Sequence, residues 1–231
     1  MRQPIFLLAL AFAAGSASAA PSIVPFSQPS AVNSPQTEDL IAEGRKLLKD
    51  GKADEALALF EQADKASDQK PETHIWVLRA WMDQGRLNDA FNEADKIRDA
   101  GVDIPGLYYL YGYGSFLKAN KLMREGAGGA IGLAFGDAVS FLQLALDRDP
   151  ETFSDAWVTL AHASWYSTEL ERAEKSILKA VEHDPKSGLV RSVQGEIYFS
   201  LYKDLVGRTA TGETADRAHA KTALASFSRA A

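Results

Sequence analysis

From Thr37 onward, apolar residues return along the chain with a helical period rather than the alternation of a strand. Five stretches share one pattern: EALALFEQA, DAFNEADKI, DAVSFLQLA, RAEKSILKA and TALASFSRA. In each, a small residue is followed by a larger one, usually four positions later, and commonly by alanine three after that. The full copies are Ala56-Phe60-Ala63, Ala138-Leu142-Ala145, Ala173-Ile177-Ala180 and Ala223-Phe227-Ala230, and Ala90-Ala94-Ile97 is a degenerate one. Spacings of four and three place all three side chains on one face of a helix.

The copies recur at near-constant distance. Ala56 to Ala90 is 34 residues and Ala138 to Ala173 is 35; Pro71 to Pro105 is 34 and Pro150 to Pro185 is 35. The dipeptides Asp149-Pro150 and Asp184-Pro185 stop a helix where proline cannot continue it. Two intervals are longer. Ala90 to Ala138 is 48, or 34 + 14, and Ala173 to Ala223 is 50, or 34 + 16. Units three and five therefore carry insertions, near KANKLMREGAGGAIG and KDLVGRTATGETAD. Each is expected to lengthen a first helix and then form a flexible loop.

A period of 34 with this pattern resembles the tetratricopeptide repeat, whose first helix runs W-x2-L-G-x2-Y, followed by A-x3-F and then P. Trp157-x2-Leu160-Ala161, Ala173, Ala180 and Pro185 follow it, as does Gly195-x2-Tyr198, and Gly51 and Gly85 fall in the tight turns of units one and two. The resemblance covers residues 37 to 231 and implies an all-α, right-handed superhelical solenoid. About five helix–turn–helix units start near 37, 71, 105, 154 and 188, two of them with insertions.

The aromatic stretch LYYLYGYGSF, residues 107 to 116, then becomes the first helix of unit three. Tyr108, Tyr111, Gly112 and Ser115 take the positions that pack against neighbouring helices. Tyr109, Tyr113 and Phe116 share a second face. In the family that face lines the concave surface, where extended peptides or partner helices bind. The same register gives Arg45 and Lys49 in unit one, Arg79 in unit two, His162, Trp165 and Tyr166 in unit four and Phe199 in unit five. The implied groove is basic at its N-terminal end and aromatic in the middle. The alternative is that the insertions fold back and bury these aromatics as core. His162 reads equally as a groove contact or a core histidine.

The first residues are of a different kind. Arg2, the apolar run PIFLLALAFAA and the small-residue site Ala17-Ser18-Ala19 form a secretory signal pattern over residues 1–19. Residues 20–36, with four prolines and four serines, read as an extended tether. The expected location is outside the cytoplasm, in the periplasm or secreted, with no membrane span after cleavage.

Charge and chemistry narrow the function further. The chain carries 25 Lys+Arg against 31 Asp+Glu, a net charge of −6, which argues against a nucleic-acid partner. It has no cysteine, so thiol chemistry and disulfides are excluded. GAGGAIG, residues 126–132, lacks the spacing of a dinucleotide loop, and no strand precedes it. The four histidines make no short zinc spacing, no G-x-S-x-G elbow is present, and no carboxylate pair marks a dyad. No catalytic residue, metal or cofactor is expected. The sequence points to a non-enzymatic interaction scaffold of the cell envelope that binds protein or peptide segments. The alternative is the N-terminal repeat domain of a longer secreted enzyme or envelope assembly factor.

The pattern leaves the outer side of the last helix, with Ala223, Phe227 and Ala230, uncovered by a following unit, and an uncovered apolar face favours self-association. Residues 20–231 alone are expected to dimerise, to bind a hydrophobic dye, or to need a C-terminal extension to stay soluble. Light scattering across concentration tests this, and a dye-negative monomer at high concentration contradicts it.

Overall fold

Prolines set the starts of three helices. The structure is a computed structural model that describes residues 34–208 together with 221–223, 225, 226 and 228. In it, α1 (Pro35–Lys49), α3 (Pro71–Asp83) and α5 (Pro105–Glu125) carry proline in the first turn, where its missing N–H has no intrahelical partner to lose. The Ser34 hydroxyl accepts from the Thr37 amide and fixes the start of α1 within the segment read as a tether. The partners of these helices are α2 (Ala53–Ala66), α4 (Leu87–Asp99) and α6 (Gly128–Arg148). Then follow α7 (Ala156–Tyr166), α8 (Leu170–His183) and α9 (Gly188–Arg208). The described residues contain no strand.

The contacts sort these helices into two layers within the unit Asn33–Ala231. The first helices touch in succession, α1 to α3, α3 to α5, α5 to α7 and α7 to α9. The second helices α2, α4, α6 and α8 touch only the helices before and after them in the chain. Crowded first helices and splayed second helices are the two sides of a solenoid, with the first helices on the inside. The repeated small and large residues form its seam: Ala56, Phe60, Ala63, Ala90, Ala94, Ala138, Leu142, Ala145, Ala173, Ile177 and Ala180 are all buried. Ala223 is buried too, whereas Phe227 and Ala230 lie outside the described residues.

The aromatic stretch is helical, and its glycines have a steric reason. A Cβ at Gly112 would sit 2.6 Å from the Leu142 side chain and 2.8 Å from the Leu142 amide nitrogen, so α5 and α6 approach there at backbone distance. The burial pattern is broader than one packing stripe, because α3, α4, α6 and α7 all touch α5. Leu107, Leu110, Gly112 and Gly114 are buried, while Tyr108 and Tyr111 are half-buried. Their hydroxyls donate to Asp103 at 2.9 Å and Asp95 at 2.7 Å, the partners that a phenol at a packed edge needs.

The first insertion is not a loop. Helices α5 and α6 are 21 residues each, against 13 to 15 in α1–α4, and only Gly126 and Ala127 separate them. Fourteen extra residues shared by two helices give each about two turns at 3.6 residues per turn, so the apolar face stays in phase. GAGGAIG thus forms the turn and the start of α6. Helix α6 is long and apolar enough to cross a membrane by length and composition, with a mean hydropathy of 1.5 and 39% of that window buried. It lies between α5 and α7. The second insertion falls mainly outside the described residues.

The turns inside the units carry one strained position. Gly51 and Gly85 have φ of 73° and 83°, the left-handed region that glycine enters without a Cβ clash. In unit four the same place, one residue past the C-cap, holds exposed Thr168 at φ 63°. A β-branched residue is disfavoured there by about 1–2 kcal/mol. Thr168→Gly is therefore expected to raise stability by about 0.5–1 kcal/mol after the extra unfolded-state entropy of glycine is deducted. The check is the urea midpoint, with m unchanged.

Candidate functional site

On the inner layer, residues four apart share one direction: Arg45 and Lys49 on α1, Arg79 and Asp83 on α3, Tyr109 and Tyr113 on α5. Arg79 is at the centre and is 8% exposed. Its Nε donates to the Tyr109 hydroxyl at 2.9 Å, and its Nη1 pairs with Asp83. Its guanidinium carbon lies 3.5 Å from the centroid of the Tyr113 ring. Burial opposes the Arg79 charge, but Tyr109, Tyr113, Asp83 and Asp155 outweigh it and hold its pKa above the ordinary value.

The network continues across units. The Tyr109 hydroxyl donates to Asp155 Oδ2 at 2.6 Å, and Arg45 Nη2 reaches Asp155 Oδ1 at 3.3 Å. Tyr113 donates to Asp83 Oδ1 at 2.6 Å. The Arg45 guanidinium also lies over Trp76, 4.9 Å from its ring centroid. Lys49 Nζ pairs with Asp184 Oδ2 at 3.0 Å. Each cation expected to make this end of the groove basic is thus paired with an aspartate. Arg45 and Lys49 take theirs from 110 and 135 residues away. Asp83 was within reach of sequence reasoning, since it is four residues from Arg79. Asp155 and Asp184 carry no such signal.

Tyr109 is not a groove wall. It is 1% exposed, because Phe153 covers it with ring centroids 4.8 Å apart. Phe153 comes from the connection between α6 and α7 and also stacks on Trp76 at 5.7 Å. Ile75 and Met82, which the repeat register puts on the same face, are likewise core.

A cavity of about 720 Å³ remains beside this connection. Arg45, Lys49, Arg79, Tyr113 and Phe116 line it, together with Val158, Asp184 and Leu189. The structure therefore brings five of the predicted residues to one cavity. His162, Trp165 and Tyr166 form a second cluster that Phe116 joins to the first. The His162 ring lies 5.5 Å from Phe116, 5.7 Å from Trp165 and 5.0 Å from Tyr166. Trp165 Nε1 donates to Ser200 Oγ at 2.8 Å. Phe199 stands apart, 51% exposed, with Lys203 Nζ 5.7 Å from its ring. Among the described residues no group of three or more His, Asp or Glu is placed to hold a metal.

With the two layers and their inner face in place, the comparison with known families is direct. The tetratricopeptide repeat family pattern matches residues 47–107, from the end of α1 to the start of α5. Over those residues the repeat is a tetratricopeptide repeat. No curated protein matches the chain in sequence. Among solved structures, the thermophilic TPR protein of Thermus thermophilus superposes with a TM-score of 0.53 at 20% identity, covering 81% of this chain and 99% of that one. MamA gives 0.46 at 20% identity, with 84% and 90% covered. YrrB, a TPR protein with an unusual peptide-binding site, gives 0.46 at 16% identity, with 83% and 88% covered. At these identities the likeness concerns the fold. Phe153 and Asp155 lie outside the matched TPR segment, in a connection whose length the repeat does not prescribe.

His162 gives the cluster a pH dependence. Burial lowers its pKa from the ordinary 6.5 to about 4, so the folded chain holds it neutral. Between these values the unfolded chain binds a proton that the folded chain does not, so stability falls as pH drops from 6.5 toward 4. The full swing, reached below pH 4, is about 3 kcal/mol. Glu196, whose Oε2 is 3.7 Å from His162 Nε2, is itself raised by burial and contributes with the opposite sign. The readout is therefore the stability difference between the native sequence and His162→Gln in urea melts at pH 7, 5 and 4. The native sequence is expected to lose its advantage as pH falls. A difference constant with pH contradicts this.

Proposed function

We propose that the chain is a non-enzymatic scaffold of the cell envelope that holds a peptide or partner segment on its concave face. The cavity between the paired cations of α1 and α3 and the start of α9 carries this reading. It is partly apolar, and Tyr113, Phe116 and Arg79 line it. Aromatic residues and arginine are the types that dominate binding energy at such surfaces. The TPR fold supports an interaction role. The signal pattern of residues 1–19 supports export, with the periplasm as the compartment. Placed between α5 and α7, α6 reads as a core helix rather than a membrane span.

The test is capture of partners from envelope extract on immobilised residues 20–231, repeated with Tyr113→Ala and Phe116→Ala. Each substitution is expected to weaken binding by about 1–4 kcal/mol. Undiminished binding by both folded variants contradicts the groove.

A further inference from the structure

We propose that the connection between α6 and α7 is an internal occupant of the concave face, and that the partner segment which replaces it has the same chemistry: an aromatic side chain followed two residues later by a carboxylate. This rests on the groove reading above and names the ligand class for it.

The connection is unusual in length and direction. It spans seven residues, 149–155, where the other connections between units span 67–70, 100–104 and 184–187. It ends at α7, only 11 residues long. The surplus turns inward, toward units one, two and three. Phe153 places its ring against Trp76 of unit two and Tyr109 of unit three, with interplanar angles of 21° and 29°. Two residues on, Asp155 accepts from Tyr109 and from Arg45 of unit one. A regular repeat contacts its nearest neighbours, and this connection reaches back to the first helix of the array.

What it touches is the surface on which an extended segment would lie. Trp76 and Tyr109 form an aromatic slot, and Arg45 stands beside it as an anion partner. The slot binds Phe153 closely, leaving it 3% exposed. The carboxylate end stays open: Arg45 and Asp155 side chains are 26% and 27% exposed, so a competing carboxylate can reach the guanidinium without unfolding a helix. The 720 Å³ cavity adjoins Ser154 and Asp155, which gives the rest of an incoming segment a place next to the same site. A tethered occupant competes at an effective concentration on the order of millimolar, so the native chain takes a free segment only weakly.

The probe is a fluorescein-labelled peptide of residues 149–156, DPETFSDA, titrated into residues 20–231. Phe153→Ala/Asp155→Ala in the full fragment is expected to bind it at least tenfold tighter than the native sequence. The same peptide with alanine for phenylalanine is expected not to bind. A double variant with native helical circular dichroism that binds no tighter overturns the proposal. Asp155→Asn, which keeps the Phe153 ring in place, is expected to gain threefold or more and serves if the double variant does not fold. If neither variant folds, hydrogen exchange of residues 149–156 in the native fragment decides. Saturating peptide accelerates it if the connection is displaced, and unchanged protection overturns the idea. A partner whose binding needs Tyr113 and Phe116 but is neither competed by the peptide nor improved in the variants refutes this inference alone. A partner indifferent to Tyr113 and Phe116 refutes the groove.

Discussion

A guanidinium cannot be left without partners in a packed interior, and Arg79 imposes that constraint on four units at once. Its charge persists at any physiological pH, and its side chain is almost wholly enclosed. Asp83 supplies the counter-charge from the same helix. Tyr109 accepts from its Nε, and having accepted, needs an acceptor for its own proton. That acceptor is Asp155, whose charge Arg45 pairs with directly and Arg79 helps to offset. Each step follows from leaving no buried donor, acceptor or charge alone. The chain of obligations runs from α1 to the start of α7. Solenoids are stabilised mainly by neighbour contacts, so a link between units one and four couples repeats that would otherwise respond separately.

The seam between the helices answers a different demand. Alanine or glycine sits wherever two helix axes come closest, with one large residue between them, as in Ala138-Leu142-Ala145. Leu142 fills the space that Gly112 leaves open. Glycine at 112 costs about 1 kcal/mol of helix propensity, which the close contact of α5 and α6 offsets. The lengthened helices of unit three keep this rule for two further turns, with Ala119, Ala134 and Phe135 buried.

The parts legible in the sequence are those set by local spacing. The seam repeats at 34 or 35 residues wherever no insertion intervenes, and each of its contacts is made within a unit or with the next, so the solenoid follows from counting. Helical register with the family resemblance assigned Arg45, Arg79, Tyr113 and Phe116 to one face, and the structure brings these four to one cavity. The first insertion was read as a longer first helix followed by a flexible loop; the longer helix is there, and the expected loop is instead a two-residue turn and the start of α6. The number 14 held the better signal, since seven residues per helix preserve the apolar face. The roles of Phe153, Asp155 and Asp184 were invisible for a physical reason: they act from connections on residues far away in the chain, and the repeat spacing says nothing of such contacts. Their effect reached the expected site directly, since Phe153 turned Tyr109 from wall to floor and the aspartates neutralised its basic end.

In the proposed mode of binding, that neutralisation determines what the concave face can select. A ligand carboxylate that arrives at Arg45 must displace one already there, so the exchange gains little energy. The same holds at Lys49, where Asp184 is the resident anion. The net gain must come from apolar surface, through rings set against Trp76, Tyr113, Phe116 or the His162 cluster. Charge then acts on register rather than strength, because a ligand lacking a carboxylate at the right distance would leave Arg45 without a partner once Asp155 is moved aside. An arrangement of this kind discriminates among segments by where their acidic residue stands relative to their aromatic one, and rejects a bare anion that brings no ring.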